Sequence, residues 1–249
     1  MTRELTGRVA LVTGAGRGIG AGIARLLVAE GALVAVNDID TAAAGRTVAE
    51  LTAAGHQCVA VPGDVSEPGT ARAVVDETVA RLGGLGILVN NAATGRRLKI
   101  RQWTPEQWHQ VLATNLSGPF FLAQAAVDHL AESGHGAIVN VCSTAVIGFF
   151  GQIGYDASKG GLLTLTRSLA VELGREGVRS NAVCPGFIDT GQVDAANLAT
   201  VAHKQVATQP IARMGLPTDV AGAVTYLVSD QAAYITGQSL FVDGGWIRH

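Results

Sequence analysis

The sequence predicts an α/β fold built on a doubly wound parallel sheet of about seven strands flanked by helices. Two observations predict it: short apolar, β-branched runs that do not alternate polar with apolar, and amphipathic stretches of helical length between them. Strands without alternation are buried on both faces. Strand and helix in alternation imply right-handed crossovers, which place helices on both sides of the sheet. A third observation says what such a sheet would carry, because the first run flows directly into a glycine-rich turn, TGAGRGIG, at 13–20.

The expected strands are 8–13, 32–37, 57–61, 85–90, 136–142, 179–184 and 239–243. The expected helices are 19–30, 41–54, 69–82, 105–131, 154–173 and 218–229. Thr104, Pro105 and Gln107 give the fourth helix an N-cap, a favoured first residue and a reciprocal cap. No repeat, low-complexity tract or linker interrupts the pattern, so one domain is expected over residues 1–249. The least regular stretch is 186–216. A loop of that length in a compact fold is usually functional, and it is expected to close over bound ligands as a lid, with His203 exposed within it.

Composition narrows the partners. With 48% hydrophobic residues, 15% charged residues and a formal net charge of -2, the chain has no electrostatic footprint for nucleic acid or an anionic membrane. Small molecules, or further copies of the chain, are the expected partners. Cys58, Cys142 and Cys184 each lie in an apolar run, where a free thiol behaves as a small hydrophobe, and this suggests a reducing, cytoplasmic setting. The N-terminal run is too short for a signal peptide or a membrane span.

In the turn after the first strand, Gly14, Gly18 and Gly20 let the backbone bend tightly and approach a pyrophosphate, which then rests on the amides that open the next helix. The bland alternative is an ordinary strand-to-helix turn. Asp38 ends the second strand, where a carboxylate can accept both ribose hydroxyls of an adenosine; Asp40 beside it reads as the turn residue.

These glycines, with GDV (63–65), NNAA (90–93), Asn115, Ser143, the pair Tyr155 and Lys159 in YDASK, PGFIDT (185–190) and the terminal VDGG, resemble the short-chain dehydrogenase/reductase family over essentially the whole chain. The resemblance implies a single Rossmann-type domain, commonly a homotetramer, that binds a nicotinamide cofactor. It implies that Arg17 and Ile19 join the glycines at the dinucleotide, that Asp64 and Val65 hold the adenine, that Asn91, Ala92 and Ala93 line the cofactor, and that Pro185, Gly186, Ile188 and Thr190 meet the nicotinamide end.

Tyr155 and Lys159 are four residues apart, hence neighbours on one helix face. An ordinary phenol holds its proton to about pH 10, and a nearby ammonium or oxidised nicotinamide favours the phenolate, which suits general acid/base work near neutrality. In this reading Lys159 also donates to the nicotinamide ribose, Ser143 donates to the substrate oxygen, and Asn115 holds a water that relays protons to Lys159. Taken singly, each residue has a structural explanation; taken in family order they point to an oxidoreductase acting on a secondary alcohol or ketone. A 3-oxoacyl-acyl-carrier-protein reductase using NADPH is the alternative, and a catalytically silent dinucleotide sensor is the alternative outside the enzymes.

NAD is the expected cofactor over NADP, because Asp38 would repel a 2'-phosphate and only Arg17 pulls the other way; no metal site is expected. The chain departs from the family pattern at Ala93, where Gly is usual, at the Ser143–Tyr155 spacing, one residue shorter than the common one, and at Gly86, where Asp is common. Cys142 would fit the longer spacing, but a thiol is the poorer donor. Ala145, Val146, Phe149, Phe150 and Gln152 would overhang the site and suit a neutral substrate. Arg96, Arg97, Lys99 and Arg101 form a basic cluster that is either a solvated face or an anchor for an anion.

Overall fold

The structure is a computed structural model that describes residues 4–191 and 206–248. His203 and the middle of the expected lid lie outside the described residues. Seven strands, β1 (Val9–Val12), β2 (Leu33–Val36), β3 (Cys58–Ala60), β4 (Ile87–Asn90), β5 (Ala137–Val141), β6 (Arg179–Pro185) and β7 (Ser239–Val242), form one parallel sheet in the order β3-β2-β1-β4-β5-β6-β7. Every expected strand forms. The residues of β1, β4 and β5 are buried throughout, whereas β3 and β7, at the two sheet edges, are mostly half-buried.

The helices are α1 (Gly18–Ala29), α2 (Thr41–Ala53), α3 (Pro68–Leu82), α4 (Pro105–Leu112), α5 (Gly118–Glu132), α6 (Ile153–Leu173) and α7 (Pro217–Val228). One face of the sheet packs Val12, Val34 and Val89 against Ile23 and Leu27 of α1 and Val220 and Val224 of α7. The other packs Leu11, Leu88 and Ile138 against Val74 and Val75 of α3 and Leu122 and Leu130 of α5. Each such side chain, fully buried, contributes about 1.5–3 kcal/mol before entropy is counted.

The expected single helix 105–131 is instead two helices joined by a π turn at Ala113–Ser117. Its start is as expected: the Thr104 hydroxyl accepts the Gln107 N–H, and the Gln107 amide oxygen accepts the Thr104 N–H. The interruption follows from Pro119, which has no N–H to offer the Asn115 carbonyl one α-turn back. The Gly118 N–H reaches back to the Ala113 carbonyl, five residues away. Gly118 suits the place, since a Cβ there would stand 2.9 Å from the Val65 carbonyl oxygen.

Gly86 has a packing explanation. The His135 ring fills the space beside it, and a Cβ at position 86 would lie 2.6 Å from His135 Nε2.

Where the chain's route changes direction, between β1 and β4, a parallel sheet opens a crevice at the carboxyl ends of its strands. The face-to-face packing of α1 on α7 beside it depends on Gly22, whose added Cβ would lie 2.7 Å from Pro217 Cβ. Gly22→Ala is therefore expected to lose roughly 1–3 kcal/mol to overpacking. Gly45→Ala is expected to gain roughly 0.5–1 kcal/mol, because Gly45 is exposed inside α2 and a Cβ there meets nothing within 4 Å. Urea midpoints measured on the two variants check both signs, and a destabilised Gly45→Ala would contradict the account of α2.

Candidate active site

The glycine turn between β1 and α1 is shaped for close approach. Gly14 has φ +59°, and a Cβ on it would stand 2.8 Å from Ala92 Cα; a Cβ on Gly20 would lie 2.3 Å from the Gly14 carbonyl oxygen. Only residues without side chains let the turn, the helix and the end of β4 meet this closely. Thr13 and Asn91 fasten them. The Asn91 amide donates to the carbonyls of Thr13 and Gly14 at 2.9 and 3.0 Å, and the Thr13 hydroxyl oxygen accepts the N–H groups of Asn91 and Ala92.

A cavity of about 410 Å³ lies over this turn and is lined by Gly14, Arg17, Asp38, Ile39, Asp64, Val65, Asn91, Ala92 and Ala93, among others. Asp38 is 6% exposed; one carboxylate oxygen accepts the Gly16 N–H at 2.9 Å and the other accepts the Asp40 N–H at 3.0 Å. Asp64 accepts from both the backbone and the hydroxyl of Ser66 through one oxygen. Asp40 caps α2 by accepting the Ala43 N–H, the turn role expected for it.

A second cavity, about 220 Å³, continues along the strand ends and is lined by Ile19, Asn91, Ala93, Val141, Cys142, Ser143, Tyr155, Lys159, Pro185, Gly186, Ile188 and Thr190. Gly18 borders it, as a Cβ there would touch Thr190. The sequence-expected residues thus gather around two adjoining cavities, apart from Gly20, which is buried in α1, and Asn115, which is buried behind the second. The glycine cradle and the carboxylate at the end of β2 fit a dinucleotide. A larger cavity of about 510 Å³, lined by His135, Arg179 and Asp230, lies where β6 begins. That is the opposite end of the sheet from the crevice, so it is not the ligand site of this fold.

Lys159, 2% exposed, donates from Nζ to the Val141 carbonyl at 2.7 Å, and Nζ sits 5.6 Å from the centre of the Tyr155 ring. One of its three protons is thereby committed. The Tyr155 hydroxyl makes no hydrogen bond among the described residues. The Ser143 oxygen accepts the Ala145 N–H at 3.0 Å, which leaves its own proton free to donate. Cys142, beside it, is 3% exposed, and its hydrogen bond with Cys184 together with burial pushes its thiol well above the ordinary range. Of these two neighbours, Ser143 is the one equipped to serve as a donor.

Asn115 has no exposed surface. Its oxygen accepts the Thr94 N–H at 2.8 Å, and its amide donates to the Thr94 carbonyl and the Ser158 hydroxyl; that hydroxyl donates in turn to the Tyr155 carbonyl. The side chain therefore ties the segment after β4 to α6, while the backbone carbonyl of Asn115 is the one that Pro119 leaves without an α-helical donor. Thr13, Thr94 and Ser158 were not singled out by sequence reasoning. Ser158 lies within YDASK one residue before Lys159, and small polar residues that link backbone groups leave no periodic signal.

Fold and glycine cradle together define a dinucleotide-binding α/β protein with a tyrosine, a lysine and a serine at the strand ends. A family model described as enoyl-(acyl carrier protein) reductase matches residues 14–247. FabG, the 3-oxoacyl-acyl-carrier-protein reductase of Staphylococcus aureus strain Mu50, is 41% identical over 239 residues, 95% of this chain and 96% of its own length. The (3R)-3-hydroxyacyl-CoA dehydrogenase of Canis lupus familiaris is 40% identical over 252 residues, 97% of each chain. A solved dehydrogenase/reductase from Sinorhizobium meliloti 1021 aligns with a TM-score of 0.93 and 36% identity, covering 99% of this chain and 98% of that one. The chain belongs to the short-chain dehydrogenase/reductase family, oxidoreductases that use nicotinamide cofactors.

Asp156, next to Tyr155, supports the loop between Ser143 and α6: its Oδ2 accepts the Phe149 N–H at 2.7 Å, and its Oδ1 is buried with no partner. Burial raises its carboxyl above the ordinary range, opposed by the Phe149 N–H. A carboxyl raised on folding binds its proton more tightly in the native state, so its contribution to stability falls as pH rises through the carboxylate range. Asp156→Asn cannot ionise. Its stability relative to the unmodified protein is expected to rise between about pH 4 and pH 7. Thermal midpoints at the two pH values test this, and an unchanged difference would show that the carboxyl is not perturbed.

Proposed function

We propose that the chain is an NAD-dependent oxidoreductase that interconverts a secondary alcohol and a ketone, with Tyr155 as the general acid/base. The observation that carries this reading is the uncommitted hydroxyls of Tyr155 and Ser143, lining one cavity with the Lys159 ammonium. A nicotinamide held by Ile19, Pro185, Gly186, Ile188 and Thr190 supplies hydride acceptance or donation when bound. Ser143 donates a hydrogen bond to the substrate oxygen and holds it against the Tyr155 hydroxyl. Tyr155 then takes the alcohol proton as the carbonyl forms, or gives a proton back in reduction. Lys159, fixed through Val141, keeps a positive charge beside the phenolate and has two further N–H groups for the nicotinamide ribose. The Asn115 carbonyl faces no α-helical donor, which suits it to hold a water on the route to Lys159.

The adenosine end is read in the same terms. Gly16 and Asp40 N–H groups orient the Asp38 carboxylate, which would accept the ribose hydroxyls, and Asp64 and Val65, lining the same cavity, would border the adenine. A 2'-phosphate about 4 Å from that carboxylate would meet a repulsion of roughly 4 kcal/mol per unit charge at an effective dielectric near 20. Among the described residues Arg17 is the single cation lining this cavity, and Ile39, where a second could stand, is 70% exposed and neutral. The apolar side chains of Val171, Tyr226 and Leu240, exposed on α6, α7 and β7, suit association into a homotetramer, and the free thiols suit a cytoplasmic setting.

Tyr155→Phe removes only the proton-transfer hydroxyl. It is expected to lower kcat by about 10² to 10⁴ while NADH affinity, read by fluorescence titration, stays near that of the unmodified protein. Retention of a tenth of the activity would remove Tyr155 from the mechanism, and absence of any turnover in the unmodified protein would favour the dinucleotide sensor.

Cofactor choice is tested separately. The ratio of kcat/KM for NAD over NADP is expected to be at least about tenfold, or about 1.4 kcal/mol, and to move toward NADP in the double variant Asp38→Ser, Ile39→Arg. A preference of the unmodified protein for NADPH would overturn the assignment.

A further inference from the structure

We propose that Arg96, Arg97, Lys99 and Arg101 form a second subsite at the mouth of the cleft, which holds the phosphate of a phosphopantetheine-type acyl thioester while the acyl carbonyl lies at Tyr155. The inference deepens the reading above and rests on Tyr155 being the proton-transfer group.

Position is the first argument. The segment carrying the four cations is strapped to the site at both ends. Thr94 is held through its N–H and its carbonyl by Asn115, and Gly95 lies against the Tyr155 ring, where an added Cβ would be 3.2 Å from Cδ2. The Leu98 N–H donates to the Gly151 carbonyl at 2.8 Å, the Trp103 indole donates to the Leu98 carbonyl at 3.2 Å, and the Lys99 N–H donates to the Gln102 side chain at 2.9 Å. Gly154, the residue before Tyr155, packs on the Trp103 ring. The cations are therefore carried on a braced rim whose two ends touch Tyr155 and its neighbour.

Charge is the second. No acidic residue occurs between Leu82 and Pro105. Among the described residues, none of the four cations takes part in a salt bridge; Arg96 donates to the neutral Gln110 side chain at 2.9 Å, and all four are exposed. Four like charges held close together repel unless an anion joins them. A lone carboxylate is satisfied by one bidentate Arg, whereas phosphate offers more oxygens and more charge. From Arg96 to Arg101 the chain spans at most about 18 Å, so the four cations share one short rim segment.

The third argument is apolar surface on the same two braced loops. Ile100 is 66% exposed, Ile147 55% and Phe150 85%. Apolar side chains beside cations match a ligand with an organic arm that ends in phosphate, and a sugar phosphate or inorganic ion would leave them without a role.

The test compares acetoacetyl-CoA with acetoacetyl-N-acetylcysteamine, which presents the same acyl group on a neutral thiol without phosphate, each with NADH. The ratio of kcat/KM for the two is expected to exceed about tenfold at low salt, to shrink as salt rises, and to fall toward one in Arg96→Glu, Arg97→Glu and in Lys99→Gln, Arg101→Gln. An acetoacetyl carrier protein assayed alongside separates the two sources of the phosphate: a further gain over acetoacetyl-CoA assigns the arm to a carrier, and no gain assigns it to coenzyme A. A ratio near one in the unmodified protein, or a ratio that both double variants leave unchanged, overturns the subsite. Turnover of simple secondary alcohols that depends on Tyr155, with no turnover of either thioester, overturns the subsite and leaves the general reading standing. Turnover that survives Tyr155→Phe removes the reading on which the subsite rests.

Discussion

The contact on which the rest of the site depends is the clamp between Asn91 and the turn after β1. A parallel sheet that reverses its winding opens a crevice between the two strands at the reversal, here β1 and β4. Nothing in the ladder itself holds the loops that leave those strands. The Asn91 amide does so by donating to two successive carbonyls, Thr13 and Gly14, while Thr13 returns a hydroxyl oxygen to the backbone of Asn91 and Ala92. Each bond contributes about 0.5–1.5 kcal/mol net, but leaving these groups buried and unpaired would cost more. Once the two loops are closed on each other, the space for a side chain at Gly14 or Gly20 is gone. The glycine pattern is thus a consequence of the clamp as much as of the ligand.

A second layer of the same kind positions the segment that carries Tyr155. Asn115 reaches Thr94 on one side and Ser158 on the other, and Ser158 reaches the Tyr155 carbonyl. The π turn and Pro119 bring Asn115 into that position at the cost of one helical hydrogen bond. Local irregularity of this sort persists where the surrounding contacts over-determine it, and here a wholly buried amide with three satisfied bonds does so.

Much of this was legible in the sequence, for a definable reason. Strands buried on both faces and helices with one apolar face follow from side-chain periodicity, so all seven strands and five of the six expected helices fell where the pattern put them, within a residue or two. The one expected helix that proved to be two failed because periodicity is blind to a backbone defect. Only Pro119 betrayed it, and a proline near the start of a helix is also an ordinary helix-opening residue. The same limit hid Thr13, Thr94 and Ser158, which bond to main-chain atoms distant in sequence. Conversely, Tyr155, Lys159, Ser143, Asp38 and the glycines were visible because the family pattern sets those residue types at fixed spacing, and the structure gathers them at the strand ends.

The departures from the family pattern separate what the fold requires from what the substrate could require. Gly86 is answered locally by the His135 ring. The shorter spacing between Ser143 and Tyr155 is answered within its own loop, where Ser143 caps the turn that begins at Thr144 and Asp156 holds the Phe149 backbone. This loop then packs Phe149 against Trp246, with ring centres 5.4 Å apart, and Phe187 against the same indole at 5.6 Å. The Asp243 carboxylate fixes the turn that presents Trp246 by accepting the Gly245 and Ile247 N–H groups, and Gly186 is bare because Asp243 lies against it. An aromatic cluster thus joins the loop before Tyr155, the loop after Pro185 and the turn at Asp243, and the same loop before Tyr155 is tied to the basic segment, where the Gly151 carbonyl accepts the Leu98 N–H at 2.8 Å. The loop before Tyr155 is held from two directions, by ring contacts at Phe149 and by a backbone bond at Gly151, so segments distant in sequence fix its shortened course.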